Sequence, residues 1–105
     1  QRVVNVLVKE AAWESNPSNK PALFKTWAKS GLPYSAFVRA NDGVNLKSHS
    51  APVFNSASIS LIKQKLKAGQ DLKLIRGNID VDQWIEPKYL NSALKSQNLQ
   101  NFWTP

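Results

Sequence analysis

Between Gln1 and Trp13 the apolar side chains fall in two rows, Val3–Leu7–Ala11 and Val4–Val8–Ala12, each repeating every four residues. Rows at that spacing share one side of a helix, so this stretch predicts a helix with a wide apolar face. It stops in "ESNPSNKP", where Pro17 lacks the amide N–H that a continuing helix would use. A second helix is predicted from Asn19 as cap with Pro21 in its first turn. Its apolar stripe is Leu23, Phe24, Trp27 and Ala28, and Ser30-Gly31 closes it. A third, short helix runs from Pro33 to about Asn41, with Phe37, Ala36 and Ala40 turned inward. Asn41-Asp42-Gly43 then suits a left-handed stop.

The second half of the chain reads more loosely. "VNLKSHSAP", Val44 to Pro52, alternates Val44 and Leu46 and predicts an extended link. Pro52 opens a fourth helix that ends at Gly69 and carries Ile59, Ile62 and Leu66 on one side. "QDLKLIRGN" predicts a short extended passage with Leu72, Leu74 and Ile75, closed by a turn at Gly77-Asn78. Asp80 stands as a helix cap before "VDQWIEP", with Asp82 in the first turn and Trp84 and Ile85 as apolar residues. Pro87 starts the last helix, built on Tyr89, Leu90, Ala93 and Leu94, before a polar tail that carries Phe102 and Trp103. The expectation is a single segment, residues 1–105, that is mostly α, with five or six helices and little or no strand.

At 105 residues the chain is one domain or a piece of one. Hydrophobic residues make up 42 %, with four Trp and four Phe, which argues against disorder. A chain this short buries only about two-thirds of the surface its unfolded form exposes. No apolar run approaches the roughly 20 residues needed to span a bilayer, and no cleavable signal pattern occurs. No methionine is present, so the expectation is a segment of a longer polypeptide. The net charge of +7 suits an anionic partner, or lysines and arginines that keep helix faces wet.

The residues exclude most catalytic chemistry. Cysteine is absent, which removes disulfides, thiolate metal sites and cysteine nucleophiles together. The one histidine, His49, sits between serines and has no partner set for a triad or a zinc site. Asp80 and Asp82 do not continue into a calcium loop, and no glycine-rich phosphate loop occurs. No enzyme, cofactor or metal is expected.

The basic charge and the corner at "SGLPYSAFVRANDG" raise a DNA-reading helix-turn-helix as the alternative function, a small basic helical nucleic-acid-binding domain. A close helix crossing needs a small residue four before the turn glycine, and here that residue is Trp27. Between Pro33 and Asn41 the only cation is Arg39, too late in the helix for base contacts near its start. Nucleic acid is therefore not expected as a partner.

"GNIDVDQWIEPKYLNSALKSQNL", Gly77 to Leu99, resembles the C-terminal signature of ABC-transporter substrate-binding proteins for aliphatic sulfonates, taurine and nitrate. Ile79, Asp80, Val81, Ile85, Pro87, Tyr89, Leu90, Ala93 and Leu94 stand at the places of that pattern. "PALFKTWAKSGLP" resembles the family's helix ending in a "GLP" corner. "FVRANDGVNLKSHSAPVFNSAS" resembles its arginine-bearing helix and the passage that follows. The order of these motifs covers essentially the whole chain, although "KQKLKAGQD" is more polar than many relatives have there.

The resemblance implies the C-terminal third of a two-lobed, type II periplasmic binding protein of α/β fold. It would be exported, periplasmic or extracytoplasmic, with a signal peptide upstream. It would hold a small sulfonate-like anion in the cleft between lobes and deliver it to an ABC permease. Arg39 is the one ligand-binding candidate it implies within this segment; an ordinary surface arginine is the competing reading. The same fold includes pyrimidine-precursor synthases of thiamine biosynthesis, whose cysteine-rich signature has no counterpart here. Four tryptophans and two wide apolar faces exceed what a lone helical module needs, so the isolated chain is expected to self-associate or swap helices.

Overall fold

The computed structural model describes residues 1–104, and among them the regular structure is entirely helical. Seven α-helices follow in order: α1 (Arg2–Glu14), α2 (Lys20–Trp27), α3 (Tyr34–Ala40), α4 (Leu46–His49), α5 (Ser56–Asp71), α6 (Val81–Trp84) and α7 (Lys88–Ser96). Short 3₁₀ turns at Pro17–Asn19 and Ala28–Ser30 flank α2. The mostly-α expectation holds; seven helices stand where five or six were expected because the first predicted extended link folds into a helix of its own.

The first of those links becomes α4. Asn45 caps it, its side chain accepting hydrogen bonds from the amides of Lys47 at 3.0 Å and Ser48 at 3.4 Å. That cap overrides the alternation of Val44 and Leu46, and Leu46 is buried. The second link begins in the last turn of α5, which ends at Asp71, and continues as turns and irregular chain from Leu72 to Asn78. The helix starts later than Pro52 because Asn55 and Ser58 form a reciprocal capping box. It then runs through Gly69, where Ile75 folds back over the helix. A Cβ at Gly69 would come within 2.8 Å of Ile75 Cδ1, so the glycine serves a close approach rather than a stop. Lys73 N–H bonds to Gln70 O and Leu74 N–H to Gly69 O, with Lys73 at φ +58°. This is a Schellman ending with lysine in the left-handed position.

Two apolar clusters form the body. In one, α1 packs along α7, with Val8, Ala93 and Leu94 buried and Val4, Val53, Leu90, Leu99 and Trp103 around them. Gln97 donates to Asn5 O at 3.0 Å and Gln1 to Tyr89 O at 3.1 Å, tying the two helices side by side. Ser15 is buried but satisfied: its hydroxyl donates to Ala11 O at 2.7 Å and accepts from Trp103 Nε1 at 3.0 Å. In the other cluster, Leu23, Phe24 and Leu46 are buried beneath Trp27, Phe37 and Val44, joining α2, α3 and α4.

The two rows on α1 are not buried as rows: Val8 of one and Ala11 of the other are covered, while Val3 and Leu7 are exposed, as is Val6. Ala40 on α3 is also exposed, and the apolar residue that α6 buries is Val81, with Trp84 left 71 % exposed. The α5–α6 arm packs mainly on itself and extends from the body. The radius of gyration is 16.6 Å, against about 13 Å for a compact domain of this length. The accessible surface is 7996 Å², against about 5,900 Å² for a compact monomer of this mass.

Candidate functional site

The corner between α2 and α3 is filled by rings. Trp27 lies 5.5 Å from Phe24 and 5.7 Å from Phe37, centroid to centroid, and Phe24 meets Tyr34 edge-on at 6.1 Å. The indole thus occupies the space a close helix crossing would need. Gly31, at φ +103°, turns the chain, and Pro33 in extended geometry precedes α3. Arg39 sits near the end of α3, exposed and in no ion pair among the described residues. It stands apart from both clefts described below. His49 ends α4 and is exposed, and no group of three or more metal-ligating side chains occurs among the described residues.

Two clefts stand out. A cleft of about 390 Å³ opens between the end of α1, the start of α2 and α4, lined by Ser15, Pro17, Lys20, Val44, Leu46 and Lys47. Both of its cations are engaged. Lys20 Nζ donates to Asn41 O at 3.1 Å and lies over the Phe24 ring, while Lys47 Nζ lies 4.6 Å from the centroid of Phe102. Each ammonium has three donors, so both keep capacity for an anion. Sequence reasoning missed this pairing because it joins residues 27 positions apart through α4, which was expected to be extended.

The other cleft is apolar. It lies between α5 and α6, measures about 300 Å³, and is lined by Ile62, Leu66, Ile75, Ile79, Val81 and Trp84, with Lys65 at its edge. The Asp80 cap works as the sequence predicted: its carboxylate accepts from the amides of Asp82 at 3.0 Å and Gln83 at 3.2 Å. Asp82 is then free to pair with Lys63 at 2.7 Å, which pins α6 against α5. The Ile62–Leu66 part of this cleft was visible as helical periodicity, but Ile75 and Ile79 join it only because of the turn after α5.

No family model, curated protein or solved structure matches the chain. No helix among the described residues is long and apolar enough to cross a membrane.

Proposed function

We propose that this chain is the C-terminal portion of an extracytoplasmic solute-binding protein that delivers an aliphatic sulfonate, or a related small anion, to an ABC permease. The observation that carries the reading is the uncovered surface. A chain that caps and packs its helices still exposes about 2,000 Å² more than a compact monomer of its mass, much of it apolar side chains on α1 and the α5–α6 arm. A helical layer whose sheet lies elsewhere in a two-lobed α/β protein would have this character. The ordered motifs from "PALFKTWAKSGLP" to "IDVDQWIEPKYLNSAL" give the reading its family. In it the segment binds and positions rather than catalyses, and Arg39 is a fixed cation near the anion. The isolated chain, lacking its cover, would self-associate.

The test is made on the native protein. An antibody against this chain should detect a species several-fold heavier than 11.7 kDa in the extracytoplasmic fraction. Calorimetric titration of that species with taurine or an alkanesulfonate should give saturable binding, weakened about tenfold by Arg39→Ala if the guanidinium contributes one charge-assisted contact. A native species of this chain's own mass in the cytoplasm would overturn the reading.

A further inference from the structure

The cleft between the end of α1, the start of α2 and α4 presents side-chain donors without acceptors to match them. Its polar side chains are Ser15, Lys20, Asn45 and Lys47, and no carboxylate lines it. Ser15 is used within the fold, its hydroxyl donating to Ala11 O and accepting from Trp103 Nε1. The other three keep donors to spare. Lys20 Nζ spends one N–H on Asn41 O, and Lys47 Nζ makes no hydrogen bond among the described residues. Asn45 turns its side-chain oxygen to the amides of Lys47 and Ser48. Its Nδ2 amide, with two N–H donors, therefore meets no acceptor among the described residues. Neither lysine is in an ion pair there.

These groups are held in place ahead of any ligand. Lys20 is half-buried, tied to Asn41 O at 3.1 Å, with its ammonium 5.6 Å from the centroid of Phe24. The Lys47 ammonium stands 4.6 Å from the centroid of Phe102, and Asn45 is fixed by its role as the cap of α4. Donors positioned in this way lose little further freedom on binding. The rest of the wall is apolar, formed by Pro17, Val44 and the buried Leu46. At about 390 Å³ the cleft lies at the small end of ligand pockets, which suits a compact molecule.

We propose that this cleft binds a small phosphate monoester, its head on Lys20, Lys47 and Asn45 and a short apolar group on Pro17, Val44 and Leu46. Two cations with no acid among the lining residues match two negative charges, and three donor groups match three phosphate oxygens. A carboxylate or sulfonate would leave one lysine charge unbalanced. A bare inorganic ion would leave the apolar wall against water. The inference does not rest on the solute-binding reading, because Arg39, the cation that reading uses, does not line this cleft.

The experiment titrates the 105-residue chain with phenyl phosphate, and in parallel with inorganic phosphate and with benzenesulfonate, following amide and lysine side-chain chemical shifts. Saturable shifts at Ser15, Lys20 and residues 44–47 are expected with phenyl phosphate, roughly tenfold tighter than with either other anion. Lys20→Gln and Lys47→Gln should each weaken binding about tenfold, the loss of one charge-assisted hydrogen bond. Lys95→Gln on α7 makes the same charge change away from the cleft and should leave binding unchanged. Lys47 is exposed, so Lys47→Gln keeps its fold by circular dichroism and reads the site even where Lys20→Gln, which loses the bond to Asn41, costs stability. Equal weakening by Lys95→Gln would reduce the binding to net charge and overturn the proposal. Inorganic phosphate binding as tightly as phenyl phosphate would overturn it too, leaving an adventitious ion only. Benzenesulfonate binding as tightly would overturn the phosphate assignment. None of these results bears on the solute-binding reading, which is scored on Arg39→Ala in the native protein.

Discussion

The body and the arm of this chain solve the same problem in different ways. In the body, Val8, Phe24 and Ala93 are 1 %, 2 % and 0 % exposed, and helices are held by the surfaces they share. In the arm, α5 buries no residue and is held by its ends: the Asn55–Ser58 capping box, the Schellman turn and the Lys63–Asp82 and Lys67–Asp71 pairs. Caps and exposed ion pairs each contribute on the order of 1 kcal/mol or less. Complete burial of one large apolar side chain contributes about 1.5–3 kcal/mol. A helix secured at its ends can therefore be well formed and still be the first part of the molecule to open.

That contrast can be broken most severely at Phe24. Phe24→Ala empties the centre of the α2–α3–α4 cluster and should cost about 3–5 kcal/mol in a urea titration, enough to unfold much of a domain of ordinary marginal stability. Ala93→Leu inserts bulk where α7 meets α1 with no space to spare, and should cost about 1–3 kcal/mol by the same measurement. In the arm the effects should be smaller. Leu66→Ala removes a half-buried side chain and should cost about 1 kcal/mol. It should be visible as faster hydrogen exchange of α5 amides with little change at α1 or α7. Asn55→Ala removes the cap and should have a similar local effect, up to about 1 kcal/mol. Smallest is a gain: Lys73→Gly relieves a lysine at φ +58° and should slow exchange in the last turn of α5. The expected net gain is under about 1 kcal/mol, since the relief of a left-handed L-residue is partly offset by the extra freedom of glycine in the unfolded chain. Equal exchange protection in arm and body would dissolve the distinction between them.

The body was largely legible in the sequence. The i, i+4 rows, the Asn-Pro turn and the Gly31 stop describe α1 and α2 nearly to the residue, because those signals act within one turn. Three features of the chain were not. Which row of α1 faces α7 depends on a helix more than eighty positions away, and no periodicity in Val3 to Ala12 distinguishes the rows. Gly69 read as a terminator because glycine usually ends helices, whereas here Ile75 needs its missing side chain. Asn45 carries cap chemistry within a stretch that reads as an extended link, and the Asn55–Ser58 pair starts α5 at a point inside the helix expected from Pro52. Of the candidate site residues, Arg39 remains exposed on α3, while the Lys20–Lys47 cleft and the α5–α6 groove emerge only from the way non-adjacent turns fold together.

The distribution of the four tryptophans has an optical consequence. Trp27 is stacked among rings and Trp103 is half-buried with its indole nitrogen bonded to Ser15, whereas Trp13 and Trp84 face water. Intrinsic fluorescence should therefore contain a blue, acrylamide-resistant component from the body and a red, readily quenched one. Trp84→Phe should subtract only from the red component, so the arm carries its own emission, and its opening can be followed by colour without attaching a dye.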